Sequence, residues 1–215
     1  RWWFINADGD RFLSAGVNAV LLEADRIRGT SVAPYADHSL AKHGTADAWR
    51  KATAADLHAW GFNTLGSWSD PAVSRASEPP LAYCGMLNLG EEIVRAQSDG
   101  TAGGAWLHGT FPDVFDPRFA DLAREAAHAR CQSHENDPAI LGWFLDNELR
   151  WGSDWRSPLE LLPVFLNLPR GRAAREAARA FLRTRHADVA DFNRLWKTAF
   201  ASWDEADAAT EIPAP

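Results

Sequence analysis

Apolar residues along this chain occur in two patterns: short continuous runs, and longer stretches where they return every three or four positions. The first pattern predicts buried strands and the second amphipathic helices. "WWFINADGDRFL" holds two short strand-like pieces on either side of Ala7-Asp8-Gly9-Asp10, which predicts an N-terminal hairpin over residues 1–12. Four longer apolar runs follow, at 13–21, 62–66, 81–89 and 140–146. Between the first two, 45–61 predicts a helix: Thr45 can cap it, Trp49, Ala52, Leu57 and Trp60 share a face, and Gly61 ends it. A second well-marked helix has Asp116 as cap candidate and Pro117 in its first position. Its apolar stripe is Phe119, Leu122, Ala123 and Ala126, and Asn136-Asp137-Pro138 stops it. After Pro158 the pattern is helical throughout, clearest in "RAAREAARAFLRTRH" and "DVADFNRLWKTAF", and the tail "EIPAP" is expected to fray.

Strand–helix alternation with near-continuous apolar strands predicts an α/β fold, a parallel sheet covered by helices. Its four strands should neighbour one another in sequence order, because such crossovers are right-handed and consecutive. The first and fourth would then be edges. No internal repeat or low-complexity linker interrupts residues 1–215, which read as a single domain.

Composition narrows the partners. Hydrophobic residues make up 46% and charged residues 24% of the 215, ordinary values for a globular domain. A net charge of −7 argues against nucleic acid or an anionic membrane surface as partner. No apolar run reaches the length that spans a bilayer, and the amino end shows no signal-peptide pattern. Arg1 is not a translation start, since the single methionine is Met86, so localisation, secreted or cytoplasmic, stays unknown at this point. Cys84 and Cys131 read as buried free thiols. There is no CxxC, no HExxH and no metal-ligand spacing, so neither a metal nor a cofactor is expected.

The candidate chemistry gathers where the apolar runs stop. In a parallel α/β barrel, functional groups collect at the carboxyl-terminal ends of the strands. Here those ends offer Asn18 and nearby Glu23, then Ser67-Trp68-Ser69-Asp70, then Asn88 with Glu91 and Glu92, and finally Asp146-Asn147-Glu148. Polar side chains with aromatic faces beside them, and no glycine-rich phosphate loop, suit a sugar ligand. The chain has 11 tryptophans against two tyrosines, and Trp68, Trp106 and Trp151 are the candidates for sugar contact.

These residues resemble a known group. "GWFLDNELRWG" is similar to the fourth-strand motif of clan-A retaining glycoside hydrolases, in which an Asn-Glu pair ends the strand. The resemblance is closest to family 42 β-galactosidases and the related family 50 agarases. "DRFLSAGVNAV" is similar to their first barrel strand, "GFNTLGSW" to their second and "FPDVFDPRFADLA" to their third helix. "FLRTRHADVADFNRLWKTAFASWDE" resembles the helical insertion that follows strand four in the β-galactosidases. Together these stretches run from Arg11 to about Glu205.

The resemblance implies a (β/α)8 TIM-barrel type, of which this chain holds the first four βα units plus a helical insertion over 153–205. It implies Glu148 as general acid/base and Asn147 as a hydrogen-bonding partner of the sugar 2-hydroxyl. The residues alone agree on Glu148, since a carboxylate at the end of a buried strand beside tryptophans is expected to be partly desolvated. The family's nucleophile comes from the seventh strand, and residues 149–215 read as helix and loop. A complete barrel takes roughly 250 residues. The expected partner is an oligosaccharide or polysaccharide with β-galactosidic linkages, and a complementary barrel half or a second copy could complete the site.

Plainer readings stand beside each assignment. Glu148 could be a solvated loop carboxylate, Asn147 a turn residue bonded to its own backbone, and the tryptophans core. Asp146 reads as structural, His108 as a surface histidine, and Glu91 and Glu92 as a helix-starting acidic pair. Against the glycosidase stands a catalytically incomplete carbohydrate-binding relative, and a helical interaction module in which Asn-Glu is incidental. Four motifs in the family's order disfavour the last.

Overall fold

The structure, a computed structural model, describes residues 2–6, 8–98, 100 and 104–213. Ala7 of the hairpin signal, residues 101–103 of the glycine-rich loop and residues 214–215 of the tail lie outside the described residues. The chain divides into two compact units, one of residues 1–87 with 131–144, the other of residues 88–130 with 145–215.

The first unit opens with strands β1 (Phe4–Ile5) and β2 (Arg11–Phe12), paired antiparallel. Asn6 shapes the turn, its Oδ1 accepting the N–H groups of Asp8 and Asp10. A four-stranded parallel sheet follows in the order β3 (Gly16–Val17), β4 (Thr64–Leu65), β5 (Ala82–Met86) and β6 (Ile140–Phe144). The predicted sequence-order neighbourhood and parallel sense are both present. Close approach demands glycine twice. A Cβ on Gly16 would lie 2.9 Å from Thr64 O, and one on Gly85 would lie 2.3 Å from the Trp143 ring across the pair.

Three helices join these strands, α1 (Pro34–His43), α2 (Ala46–Ala59) and α3 (Pro71–Ser74). Thr45 caps α2 as predicted, accepting the Ala48 N–H, and Gly61 follows with φ 86°. The core is Ala54, Leu57, Leu65, Val73, Leu81, Tyr83 and Ala139. Inside it, the Tyr83 hydroxyl lies 2.7 Å from both His134 Nδ1 and Asp137 Oδ2, and burial pushes the phenol up to about 12. Trp60 departs from the expected shared face: it is 69% exposed and follows α2 as its C-cap residue.

The strands are shorter than the apolar runs. The run 13–21 pairs only at Gly16–Val17. Before it, the Asn63 side chain replaces ladder bonds, accepting the Ala15 N–H and donating to Leu13 O. After it, Ala19 turns left-handed with φ 57° and Val20 donates to Ser69 Oγ. The run 81–89 ends its ladder at Met86, since Asn88 has φ 53° and a helix begins at Leu89. Cys84 and Cys131 are free, as expected, but half-buried rather than buried.

The second unit is helical: α4 (Leu89–Gln97), α5 (Phe119–Cys131), α6 (Leu161–Leu166), α7 (Ala173–Arg185), α8 (Val189–Trp196) and α9 (Trp203–Ala208). Helix α5 starts two residues after Pro117, with Asp116 accepting the Arg118 N–H in the preceding turn. Asp188 and Ser202 cap α8 and α9 through side-chain oxygens. The core of the unit is Phe165, Leu166, Ala174, Ala178, Leu182, Phe192, Trp196 and Ile212. Ile212 corrects the expectation of a fraying tail. It is buried, and its N–H and C=O both bond the Asn167 side chain. Among the described residues no helix is long and apolar enough to cross a membrane.

Candidate active site

Five non-glycine residues have positive φ among the described residues: Ala19, Trp68, Asn88, Glu148 and Lys197. The first four each lie just past one of the four parallel strands. Such backbone costs about 1–3 kcal/mol per residue and persists only where surroundings enforce it, which is why it concentrates at functional sites. At three of the four ends the residues are polar or aromatic side chains already nominated from the sequence. In the first unit, Gly66 makes room for Asn18, since a Cβ there would lie 1.7 Å from Asn18 Oδ1. Trp68, with φ 60°, is exposed in the same unit.

The fourth strand end belongs to the second unit from Leu145 onward. Of its three polar residues, Asp146 takes the structural place read for it, and the burial expected at Glu148 falls elsewhere. Asp146 turns inward: its Oδ1 accepts the Gly90 N–H at 2.7 Å, in the first turn of α4. Gly90 permits this approach, because a Cβ there would stand 3.0 Å from Asp146 Oδ1 and 2.7 Å from Leu149 Cδ2. Burial raises the Asp146 carboxyl above the usual range, with the Gly90 bond pulling the other way. Asn147 is half-buried, and its side chain makes no hydrogen bond among the described residues. Glu148, with φ 49°, is exposed. The expected partial desolvation therefore falls on Asp146 and not on Glu148, because the left-handed turn sends the glutamate outward.

Glu148 is nevertheless held. Its Oε2 accepts the indole Nε1–H of Trp106 at 3.2 Å. Trp106 is itself placed by Glu91, whose Oε2 accepts the Ala105 N–H at 2.6 Å. A Cβ on Gly104 would meet that carboxylate at 2.5 Å, so the glycine lets the loop close onto Glu91. Arg156 joins the two parts, its Nη1 donating to Trp106 O and to Glu148 O, each at 2.8 Å. Asp154 neutralises Arg156, with Nε and Nη2 on Oδ2 at 2.9 and 2.5 Å, and Arg156 in turn holds the Asp154 carboxyl below its usual range.

Two of the nominated aromatics thus have defined places in this unit. Trp106 is bonded to Glu148, while Trp151 packs edge-on against Phe111 at 4.8 Å with most of its surface in solvent. Trp68 lies in the other unit. Glu92 is taken up by Arg95 and Arg130, and His108 is exposed, in line with the plainer readings of both. Sequence reasoning missed Trp155 and Arg156. The one signal available was the acid–aromatic–base–serine order of residues 154–157, which says nothing until the arginine's carbonyl partners are known.

The chemistry this arrangement allows is proton transfer at Glu148. An exposed carboxyl with one indole N–H on one oxygen leaves the other oxygen free to meet a ligand. Asp146 yields a pH test. Its proton is held more tightly in the fold than in the unfolded chain, so its contribution to stability is complete below the ordinary aspartate range and is lost as pH rises through the raised value. Asp146→Asn keeps an acceptor for Gly90 and cannot ionise. The variant should lose this part of the decline as pH rises above the ordinary aspartate range, read in urea melts. An unchanged pH profile would remove the burial argument.

The class of protein these features match comes from comparison with known proteins, which finds similarity to agarases. In particular, the chain is 31% identical over 195 residues to β-agarase A of Vibrio sp. (strain JT0107), covering 86% of this chain and 19% of that protein. The chain thus spans about a fifth of the length of this curated relative. A solved exo-β-agarase is 25% identical with a TM-score of 0.56, over 81% of this chain and 24% of its own. The solved structure of PfGH50B shares the fold at a TM-score of 0.64 and 21% identity, over 98% of this chain and 37% of its own. No protein-family model matches the chain.

Proposed function

We propose that this chain supplies the acid/base half of a retaining glycoside hydrolase site acting on β-linked galactose polymers. Glu148 protonates the glycosidic oxygen as the bond breaks and then activates water, and Asn147 bonds the sugar 2-hydroxyl. The four parallel strands are the first four of a (β/α)8 barrel of the clan-A type, with residues 153–205 as the insertion after strand four. The substrate is a polysaccharide or oligosaccharide, and the agarase relatives favour agar over a simple β-galactoside. Neither metal nor cofactor enters the chemistry, which two carboxyl groups can perform.

One observation carries this reading. Glu148 stands four residues past the fourth parallel strand in a left-handed turn, with Trp106 on its carboxylate and Arg156 on its carbonyl. A merely solvated loop glutamate needs none of these. Among the described residues the Asn147 side chain has no hydrogen-bond partner, which leaves its amide for a ligand.

No nucleophile is assigned among the described residues, and later barrel strands, a complementary half or a second copy would supply it. The retaining mechanism is tested by following the anomeric proton of the product by NMR, in a protein joining these residues to the remaining strands. The first-formed sugar should have the substrate's configuration, and inversion would overturn the double displacement.

A further inference from the structure

Residues 154–157 form a closed turn, with the Asp154 N–H on Ser157 O at 2.9 Å and the Ser157 N–H on Asp154 O at 3.2 Å. Its two central side chains differ in exposure although they touch. The Arg156 side chain is 5% exposed, whereas Trp155 as a residue is 71% exposed. Arg156 roots the turn through the Asp154 carboxylate and the carbonyl oxygens of Trp106 and Glu148. Trp155 is wedged from two sides. The Arg156 guanidinium lies 5.6 Å from its ring centroid, and Trp106 meets it edge-to-face at 6.1 Å and 66°.

We propose that Trp155 is a sugar-binding platform adjoining Glu148, its exposed indole surface taking the apolar face of one galactose ring of the polymer. The proposal rests on the glycosidase reading above. A pyranose carries its hydroxyls around the rim, and the axial hydroxyl of galactose leaves the C–H bonds of the opposite face together. That face matches an indole in size and polarity. Trp155 can receive it at little entropic cost, because the turn has already removed the freedom that a loop tryptophan would lose on binding. The corner between the two indoles also separates their tasks. Trp106 keeps its N–H on Glu148 while Trp155 presents a face. Since Arg156 bonds both Glu148 O and Trp106 O, platform and acid form one rigid piece, and a ring seated on Trp155 is placed relative to the carboxylate without loop closure.

The test is titration of the 215-residue chain with a soluble agar-derived oligosaccharide, followed by calorimetry and tryptophan fluorescence. Trp155→Ala should weaken binding about three- to tenfold, the size of one aromatic contact. Trp155→Phe, which keeps a ring, should lose less, and Trp60→Ala, similarly exposed just past α2, should bind as the unaltered chain does. Circular dichroism confirms that each variant is folded. Sugar binding of undiminished strength in Trp155→Ala overturns the platform and leaves the glycosidase reading standing. Failure of the unaltered chain to bind any agar oligosaccharide overturns both.

Discussion

Replacing Glu148 by glutamine is expected to lower hydrolysis of agar oligosaccharides by about 10²- to 10⁴-fold, the contribution of a positioned general acid. The measurement belongs in a protein that joins these residues to the further strands the proposed barrel would require. Glutamine is nearly isosteric, and its amide oxygen can still accept the Trp106 indole N–H. The backbone turn, held through Glu148 O by Arg156, does not depend on the carboxylate. Binding should therefore survive and the loss should appear in kcat. The effect should shrink on aryl glycosides with acidic phenol leaving groups, which depart without a proton. Equal loss on both substrate types would assign Glu148 a different role, and no loss would remove it from the chemistry.

The second large effect concerns the 215-residue chain by itself, which should hydrolyse aryl β-galactosides and agar oligosaccharides negligibly. Double displacement needs a second carboxylate about 5 Å from the first. The other carboxylates around Glu148 have structural tasks. Glu91 accepts the Ala105 N–H, Asp146 accepts the Gly90 N–H, and Asp154 is paired with Arg156. An acid without a nucleophile supplies about 10²- to 10⁴-fold, far below the roughly 10⁶-fold at which enzymes begin. Assaying the chain and a longer protein on one activated aryl glycoside decides the point. Robust turnover by the short chain that Glu148→Gln abolishes would locate the nucleophile within these residues or on a second copy.

Some of this was legible in the residues alone. The continuous apolar runs announced four strands, and their separation by helices announced a parallel sheet in sequence order, because burial on both faces writes itself into every position of a strand. Thr45 and Gly61 marked the ends of α2 by chemistry local to the chain. The Asn147-Glu148 pair was visible as the polar stop of an apolar run, and the motif order pointed to agarases. What tertiary structure decided were contacts between distant positions. Strand lengths followed from which backbone groups found partners, so Leu13 and Leu21 sit in solvent although they are apolar. Which carboxylate of the triplet is the more buried followed from a missing Cβ at Gly90, 56 positions away from Asp146. The support of Glu148 comes from Trp106, 42 positions earlier, and from Arg156, whose other carbonyl partner lies 50 positions back. Periodicity reports how one element faces its neighbours on average. A single hydrogen bond between two loops leaves no period behind, and so Trp155 and Arg156 became visible only once the chain was folded.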